Sequence, residues 1–490
     1  MTTDLYQAPA KLSRKNLKQG ATSVDVPRNT INPIDRTGQK STESRGLFNS
    51  KIGFVLAAVG SAVGLGNVWR FPYFAATYGG GTFLFAYLLI ALLFGTCLLV
   101  AEITIGRMTG AGPLQAFRKL DKRFAWVGML ALITPAIIFP FYSVIGGWVA
   151  RYSFVFLTGG AAGAAETGAF AAFTSQTWSP ILWLGIFIVM CAALLAQGIR
   201  KGVERINLVA MPVFIVMMMG LAIYTLTLPG AGEGVRHFLL PNFNELSLNT
   251  FIAATRQSFF SLSLAGGVMV AYGSYLKKDA SIEKAAVQIA AFDTSASLIA
   301  GFLVIPAVVV VAGIDGLGQG AGLLFATLPA VFYAMPGGAV VGAIFFTLML
   351  AAAVTSGISL MEVVVTTVTD RTRLSRPQAA WTVAVGSFLA ALPVTLGMGM
   401  WSHVRLGGRD ILGMMNFLTD TVFMPLVGLG TVLLIGWGIG PKRIIEAVEA
   451  SGRKFRLAGL FTVLIKWVGP LLLSGLVVTS FLMAFGVITL

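Results

Sequence analysis

Apolar runs long enough to cross a lipid bilayer recur along this chain, and short polar segments separate them. A helix needs about 20 apolar residues to span the hydrocarbon core, and eleven runs reach that length. They occupy approximately 52–74, 81–106, 124–157, 178–197, 203–228, 250–276, 283–313, 338–369, 377–396, 410–438 and 457–487. The pattern predicts an all-α membrane protein with about 11 transmembrane helices.

The segments outside these runs differ in character. Residues 1–46 are polar and lack the apolar core of a signal peptide, which predicts a disordered cytoplasmic tail before a transmembrane domain at 47–490. Residues 314–337 are too long and too apolar for a plain loop. We therefore expect Gly320 to Ala334 to form a helix on the outer face, with a similar insertion at 397–409.

Composition and charge agree with this class of protein. Of the 490 residues, 56% are hydrophobic and 11% are charged, which excludes a soluble multidomain protein. The net charge of +15 comes from Lys and Arg concentrated in alternate loops. This alternation predicts a cytoplasmic N-terminus, a C-terminus outside after eleven spans, a location in the cell (inner) membrane, and no nucleic-acid partner. Cys97 and Cys191 lie within apolar runs and predict buried packing residues.

The first apolar run is interrupted near its middle. It carries Gly60, Gly64 and Gly66, followed by Asn67 and Arg70, where a lipid-facing helix should carry no polar group. Glycine weakens a helix by about 1 kcal/mol relative to alanine. A broken turn within a membrane is tolerated where its freed carbonyls line a cavity or meet a partner, and such carbonyls can coordinate a cation.

The sixth run is interrupted as well, between Ser261 and Gly267. The first and sixth runs are five helices apart. Because successive helices cross the membrane in opposite directions and five is an odd number, a second copy of a five-helix unit would be inverted in the membrane. Paired interruptions of this kind indicate a transporter binding site, although two glycine kinks for helix packing are the alternative. The predicted repeats are about 47–228 and 250–438, with an additional helix at about 457–487.

Hydroxyl groups in the eighth run favour a cation site. Ala352, Thr355, Ser356 and Ser359 share one helix face. Thr and Ser in membrane helices often bond to their own backbone or to a neighbouring helix. Together with the freed carbonyls of the first run, however, they would supply the oxygen shell that a small cation requires. The combination predicts a sodium site.

Among the ionisable residues within the apolar runs, six are considered as candidates: Arg70, Glu102, Arg151, Arg256, Asp293 and Glu362. Each costs at least about 2.5 kcal/mol at the bilayer centre, so we expect each to be paired or functional. Asp293 is the favoured cation ligand, with a hydrogen bond between helices as the alternative. Glu102 and Glu362 are expected to be structural acids that accept hydrogen bonds from unwound backbone.

The interrupted segments carry a specific motif. It runs Gly60-Ser-Ala-Val-Gly-Leu-Gly-Asn67-Val-Trp-Arg-Phe-Pro-Tyr73, followed by Gly79-Gly-Gly, Gln257-Ser-Phe-Phe-Ser261-Leu-Ser263 and Thr355-Ser356. From about Arg45 to Leu490 the chain resembles the neurotransmitter:sodium symporter family, in its bacterial amino-acid transporter branch. The resemblance implies two inverted five-helix repeats, with helices one and six unwound around a substrate and two sodium ions.

Ligands for the two ions follow from the resemblance, position by position. Sodium site 1 would use the Ala62 carbonyl and the side chains of Asn67, Ser261 and Asp293, together with the substrate carboxylate. Sodium site 2 would use the carbonyls of Gly60, Val63 and Ala352 and the hydroxyls of Thr355 and Ser356.

The resemblance also implies how the substrate binds. Amides near Leu65 and Gly66 and the hydroxyl of Tyr142 would hold a carboxylate, and carbonyls around Ala62, Phe260 and Ser263 would accept the ammonium group. The side-chain pocket would consist of Ile138, Phe260, Gly266, Ser356 and Leu360. Monoamine carriers have an aspartate where this chain has Gly64, which points to an amino-acid substrate here. Gly266 replaces a bulky aromatic residue of the bacterial leucine carrier, so the side chain is expected to be apolar or aromatic.

The resemblance also bears on chloride, because chloride-dependent relatives have an asparagine where this chain has Asp293. The remaining groups of that anion site correspond to Tyr87, Gln257, Ser261 and Ser297. A fixed carboxylate would balance the sodium charge and repel an anion, so we predict that chloride is not required. Proton antiport through a titrating Asp293 remains open.

Two gates are implied. The inner gate would consist of Arg45, Asp370 and Tyr275. On the outer side Arg70 matches the family, but its usual aspartate partner aligns with Asn416, and Asp420 one turn later could substitute. The sequence identifies no partner for Arg256.

The overall prediction is a sodium-coupled symporter that imports an amino acid by alternating access. Two other classes stay open: a channel or sensor with a vestigial transport core, and an intramembrane enzyme. Against an enzyme, the chain has no zinc-protease His-Glu-x-x-His motif and only two histidines, His237 and His403, both in outer loops. The sequence does not determine the oligomeric state.

Overall fold

A computed structural model describes residues 48, 50–198, 203–277, 279–314 and 323–484, all within one compact unit. In this part of the chain, nine continuous helices are long and apolar enough to span a bilayer, and two broken helices complete the eleven predicted spans. They are α1 (Lys51–Ala62 and Gly66–Thr77), α2 (Gly81–Thr109), α3 (Ala125–Leu157), α4 (Trp178–Ala196), α5 (Arg205–Leu226), α6 (Leu248–Ser261 and Val268–Gly273), α7 (Ile282–Ala312), α8 (Gly338–Arg371), α9 (Arg376–Leu396), α10 (Ile411–Ile439) and α11 (Ala458–Met483).

Short helices connect the spans. The predicted outer helix is present in the described residues as Leu323–Thr327 and Leu328–Ala334, whereas the insertion at 397–409 consists of turns. The sequence analysis did not identify the other connecting helices, which are Pro113–Leu120, Ala161–Ala165, Ala169–Thr174, Ala231–Leu239 and Pro441–Glu449.

The break in α1 separates two halves that are bent by 48°. Ser50 caps the first half by accepting a hydrogen bond from the Gly53 amide at 2.8 Å. Val63 then takes an extended conformation, with ψ of 106°, and the second half begins with a π-helical turn at Gly66. Because the helix stops here, carbonyl groups before the break have no helical partner.

The break in α6 runs through backbone conformations that only glycine adopts easily. Ser263, Ala265 and Gly267 have φ values of 53°, 57° and 68°, and the left-handed conformation costs an ordinary residue about 1–2 kcal/mol. The Glu102 carboxylate accepts a hydrogen bond from the Ala265 amide at 2.7 Å. Glu102 therefore holds the unwound segment, in agreement with the role expected from the sequence.

Glycines allow α1 to pack closely on α5. A methyl group at Gly53 would lie 2.0 Å from the carboxylate of Glu204, and one at Gly60 would lie 1.7 Å from the amide oxygen of Asn207. Both glycines are on the first half of α1, so this half rests on α5 while its broken end faces α8.

Candidate functional site

A pocket lies between the breaks of α1 and α6 and is closed by α3, α8 and α10. All ten residues that the sequence predicts for substrate binding line it: Ala62, Leu65, Gly66, Ile138, Tyr142, Phe260, Ser263, Gly266, Ser356 and Leu360. The sequence analysis did not assign five further lining residues: Ser61, Gly64, Leu264, Val268 and Met424. Of these, Met424 could have been expected from the sequence, because it lies one helical turn after the gate candidate Asp420 on α10 and therefore shares its helix face. The wall is mostly apolar, and its polar groups come from the two breaks and from the hydroxyls of α3 and α8.

A buried network of polar side chains lies next to the pocket, around Asp293 of α7. Asn67 Nδ2 donates hydrogen bonds to Asp293 Oδ1 at 2.7 Å and to Ser261 Oγ at 3.0 Å. Ser261 Oγ in turn donates to both carboxylate oxygens, at 2.8 and 2.9 Å. Three of the four residues predicted for sodium site 1 are thus in contact, and the fourth, Ala62, lines the neighbouring pocket.

These residues fit a cation only after one rearrangement. Asp293 and Ser261 offer oxygen atoms, but Asn67 presents its Nδ2 to them, while its Oδ1 accepts a hydrogen bond from the Gly64 amide at 3.0 Å. An N–H group repels a cation, so the Asn67 amide must rotate to bring Oδ1 towards Asp293. The rotation would release the Gly64 amide, which links this network to the break in α1.

The predicted ligands of sodium site 2 meet where α8 crosses the break in α1. Ser356 Oγ donates to the Gly60 carbonyl at 3.2 Å and lies 3.5 Å from the Val63 carbonyl. Thr355 Oγ1 bonds to the Ala352 carbonyl at 2.9 Å. All five residues are buried. Three carbonyls and two hydroxyls, with no formal charge, match the oxygen shell of a small cation.

Two glycines set the size of the pocket. A methyl group at Gly64 would lie 2.3 Å from Ser356 Oγ and 3.3 Å from the Tyr142 hydroxyl, so no side chain fits there. At Gly266, by contrast, the nearest atom to such a group is the Leu264 carbonyl oxygen at 4.0 Å. The Tyr142 hydroxyl lies near Ser356 and makes no hydrogen bond of standard geometry within the described chain. It is therefore available to a ligand.

The groups that correspond to a chloride site surround the Asp293 carboxylate instead. The Tyr87 hydroxyl donates to Asp293 Oδ2 at 3.2 Å and lies 3.2 Å from Ser297 Oγ. Gln257 does not join them, because its Nε2 donates to the Gly66 carbonyl at 2.9 Å. The hydroxyls of Tyr87 and Ser261, which would bind an anion, already have an acceptor in Asp293.

At the outer gate, Arg70 contacts Asp420, the substitute partner that the sequence suggested. Arg70 pairs with Asp420 at 2.7 Å, and Asn416, which occupies the aligned position, is not its partner. Arg256, for which the sequence identified no partner, also bonds to Asp420, at 2.7 Å through Nη2. Asp420 lies one turn farther along α10, where it faces both arginines. The Arg70 guanidinium lies 4.6 Å from the centre of the Phe260 ring, directly over this wall of the pocket.

At the opposite end, Glu362 is a structural acid as expected, but its partners differ from those that the sequence suggested. Its carboxylate accepts hydrogen bonds from Arg376 Nη1 at 3.1 Å and from the hydroxyls of Tyr275 and Thr366, each at 2.8 Å. All of these partners are side chains. The unwound backbone of α6 is held by Glu102 and not by Glu362. Tyr275 thus supports this ion pair. Asp370 is the last but one residue of α8, and its predicted partner Arg45 lies outside the described residues.

Comparison with known proteins agrees with this geometry. The model of the sodium:neurotransmitter symporter family matches residues 45–169 and 165–486. An uncharacterized sodium-dependent transporter of Bacillus subtilis, YhdH, is 35% identical, over 82% of this chain and 89% of that protein. One from Haemophilus influenzae is 29% identical, over 81% and 90% of the two chains. The crystal structure of MhsT in complex with L-phenylalanine superposes with a TM-score of 0.83 at 34% identity, covering 89% of this chain and all of that one.

Two broken helices that face each other across a central pocket, within eleven spans, define a secondary transporter. The chain belongs to the sodium:neurotransmitter symporter family. It is therefore a multi-pass membrane transport protein of a sodium-dependent symporter family and not an enzyme.

Proposed function

We propose that this protein imports an amino acid together with sodium, and that two ions bind at the sites described above. The observation that carries the proposal is the junction of α1 and α8. There the freed carbonyls of Gly60 and Val63 meet the Ser356 hydroxyl, and Ser356 also lines the pocket. An ion at this junction would order the same backbone that forms the pocket wall, which couples ion binding to substrate binding.

The substrate in this proposal is an apolar or aromatic amino acid. The backbone amides near Leu65 and Gly66 and the Tyr142 hydroxyl suit a carboxylate. The space at Gly266 and the apolar residues Ile138 and Leu360 suit an apolar side chain. MhsT, whose structure holds L-phenylalanine, offers a related example.

Alternating access would follow from movement of the two five-helix units at about 47–228 and 250–438 around the fixed site. Sodium and substrate would favour closure of the outer gate, and loss of sodium from site 2 would open the inner side. The alternation of Lys and Arg between loops favours a cytoplasmic N-terminus, an outer C-terminus and a location in the cell (inner) membrane.

Uptake by the purified protein in liposomes tests this function. An inward sodium gradient should drive accumulation of one class of radiolabelled amino acid above the external concentration, and removal of the gradient should abolish it. A channel would equilibrate the solute and would not accumulate it. Absence of sodium-driven accumulation across a panel of apolar, aromatic, polar and charged amino acids would contradict the proposal.

Chloride independence is the second part of the proposal. It is supported by the Asp293 carboxylate, which accepts hydrogen bonds from the hydroxyls of Tyr87 and Ser261. Replacement of chloride by gluconate should leave uptake unchanged, whereas the Asp293→Asn variant should transport only with chloride present, because the sodium charge then lacks its anion. Loss of wild-type uptake in gluconate would refute this part and leave sodium coupling untouched.

A further inference from the structure

A second cavity, of about 580 Å³, lies outside the substrate pocket at the end of the molecule where α1 begins. Its walls are the first residues of α1, the first turns of α7 and Arg453 in the turn that precedes α11. The volume falls within the range of ligand-binding clefts. None of the residues of the two ion sites or of the substrate pocket lines it, so transport does not account for it.

Part of the cavity wall is both apolar and exposed. Ile52, which lines it on α1, is 66% exposed, and Phe292, which lines it on α7, is 38% exposed. Both belong to membrane-spanning helices, where an exposed apolar side chain faces the hydrocarbon region. A solute from the aqueous phase would not require these two side chains, whereas an acyl chain would.

Charge and hydrophobicity follow the same order along both walls. On α7, Lys284, Gln288 and Phe292 lie four residues apart and therefore share one face, with the cation at the membrane surface and the aromatic ring about 12 Å deeper. On α1, Lys51 comes first and Ile52 and the residues of the next turn follow. The end of the cavity at Lys51, Lys284 and Arg453, called its mouth below, is thus cationic, and the deeper part is apolar. This arrangement matches a molecule with an anionic headgroup and an apolar tail.

Of the three cations at the mouth, only Lys51 has an anionic partner in the described chain. Lys51 pairs with Asp279 at 3.1 Å, and this hydrogen bond holds the pKa of the Asp279 carboxyl below its usual value. Lys284 and Arg453 form no ion pair with any residue of the described chain. Residues 1–47 are a poor candidate for the missing anion, because they contain eight Lys and Arg against four Asp and Glu.

We propose that this cavity binds an anionic phospholipid of the adjacent leaflet, with its phosphate between Lys284 and Arg453 and an acyl chain against Ile52 and Phe292. Basic pockets between membrane helices bind such headgroups, and each Lys or Arg contributes about 1 kcal/mol. The lipid would join the start of α1 to α7 and to the turn before α11. The proposal is independent of the transported solute and of the sodium stoichiometry.

Thermal unfolding of the purified full-length protein in a neutral detergent tests the proposal. Phosphatidylglycerol should raise the unfolding temperature in a saturable manner. Phosphatidylcholine with the same acyl chains should not do so, because its headgroup has no net charge. Glycerol 3-phosphate should also fail, since it has the phosphate and lacks the chains, which separates a lipid from a free phosphate.

Surface charge variants locate the effect. Lys284→Gln combined with Arg453→Gln should weaken the apparent affinity for phosphatidylglycerol about thirtyfold, at roughly 1 kcal/mol per removed cation. The matched control, Arg443→Gln combined with Lys454→Gln, removes the same two charge types from exposed positions nearby that do not line the cavity. Equal titration curves for the two double variants, or equal stabilisation by phosphatidylcholine or glycerol 3-phosphate, would overturn the proposal.

Discussion

At the scale of single residues, the space around two glycines governs what the pocket can hold. Gly64 has no room for a methyl group, because that group would lie 2.3 Å from Ser356 Oγ. Gly266 has open space on the same wall. The two positions therefore respond to substitution in opposite ways, one through the ion site and the other through the substrate.

Gly64→Ala should reduce sodium-driven uptake at least tenfold, since the methyl group displaces the Ser356 hydroxyl from the carbonyls of Gly60 and Val63. Uptake by proteoliposomes at several sodium concentrations measures the effect, and a large rise in the sodium concentration required is expected. Gly220→Ala on α5, where the methyl group would contact nothing within 4 Å, is the control. Wild-type sodium dependence in the Gly64→Ala protein would argue against sodium site 2 as assigned.

Gly266→Leu should change selectivity and leave folding intact. The added side chain would occupy the space reserved for the substrate, so uptake of phenylalanine relative to alanine should fall about tenfold or more. Gly266→Ala adds only one methyl group and should have a small effect. Competition between the two amino acids measures the ratio, and an unchanged ratio would show that the substrate side chain lies elsewhere.

At the scale of elements, one carboxylate joins three helices. Asp420 of α10 holds Arg70 of α1 and Arg256 of α6, and all three side chains are largely buried. This arrangement contains two positive charges and one negative charge. Removal of the acid therefore leaves two adjacent buried cations, whereas removal of Arg256 leaves a balanced pair.

Asp420→Asn should lower the unfolding temperature by roughly 5 °C or more, because breaking a buried ion pair costs about 3–5 kcal/mol. Arg256→Gln should have a smaller effect, and the two changes together should be more stable than Asp420→Asn alone. Cys97 and Cys191 are both buried, so a thiol-reactive dye reports unfolding without added labels. If the double variant is no more stable than the single one, the two arginines do not share this carboxylate.

At the scale of the whole molecule, the pattern of apolar runs predicted most of the fold. The eleven predicted spans correspond to helices whose described ends differ from the prediction by a few residues. The breaks in α1 and α6 were predictable because glycines and polar residues interrupt apolar sequence, which a membrane penalises strongly. Connecting helices such as Pro113–Leu120 were missed, since they lie outside the bilayer and carry no such constraint.

Part of the candidate site was likewise predictable from the sequence, and part was not. The motif from Gly60 to Asn67 predicted residues that the structure brings together, because each lies at a backbone break that its own local sequence specifies. The partners of Arg256 and Glu362 could not be predicted in this manner. They depend on where α6, α9 and α10 approach one another, and a shift of one helical turn, from Asn416 to Asp420, replaces one partner by another.

The sequence alone thus determined the class of protein, the number of spans, the two breaks and the oxygen-rich segments. These features follow from the cost of exposing polar backbone and charge to lipid, which acts on each segment separately. The partners of Arg256 and Glu362, the direction in which the Asn67 amide points and the cavity between Lys284 and Arg453 were decided only by tertiary structure. Each requires side chains from distant segments to meet within a few ångströms, and no local pattern in the chain encodes that distance.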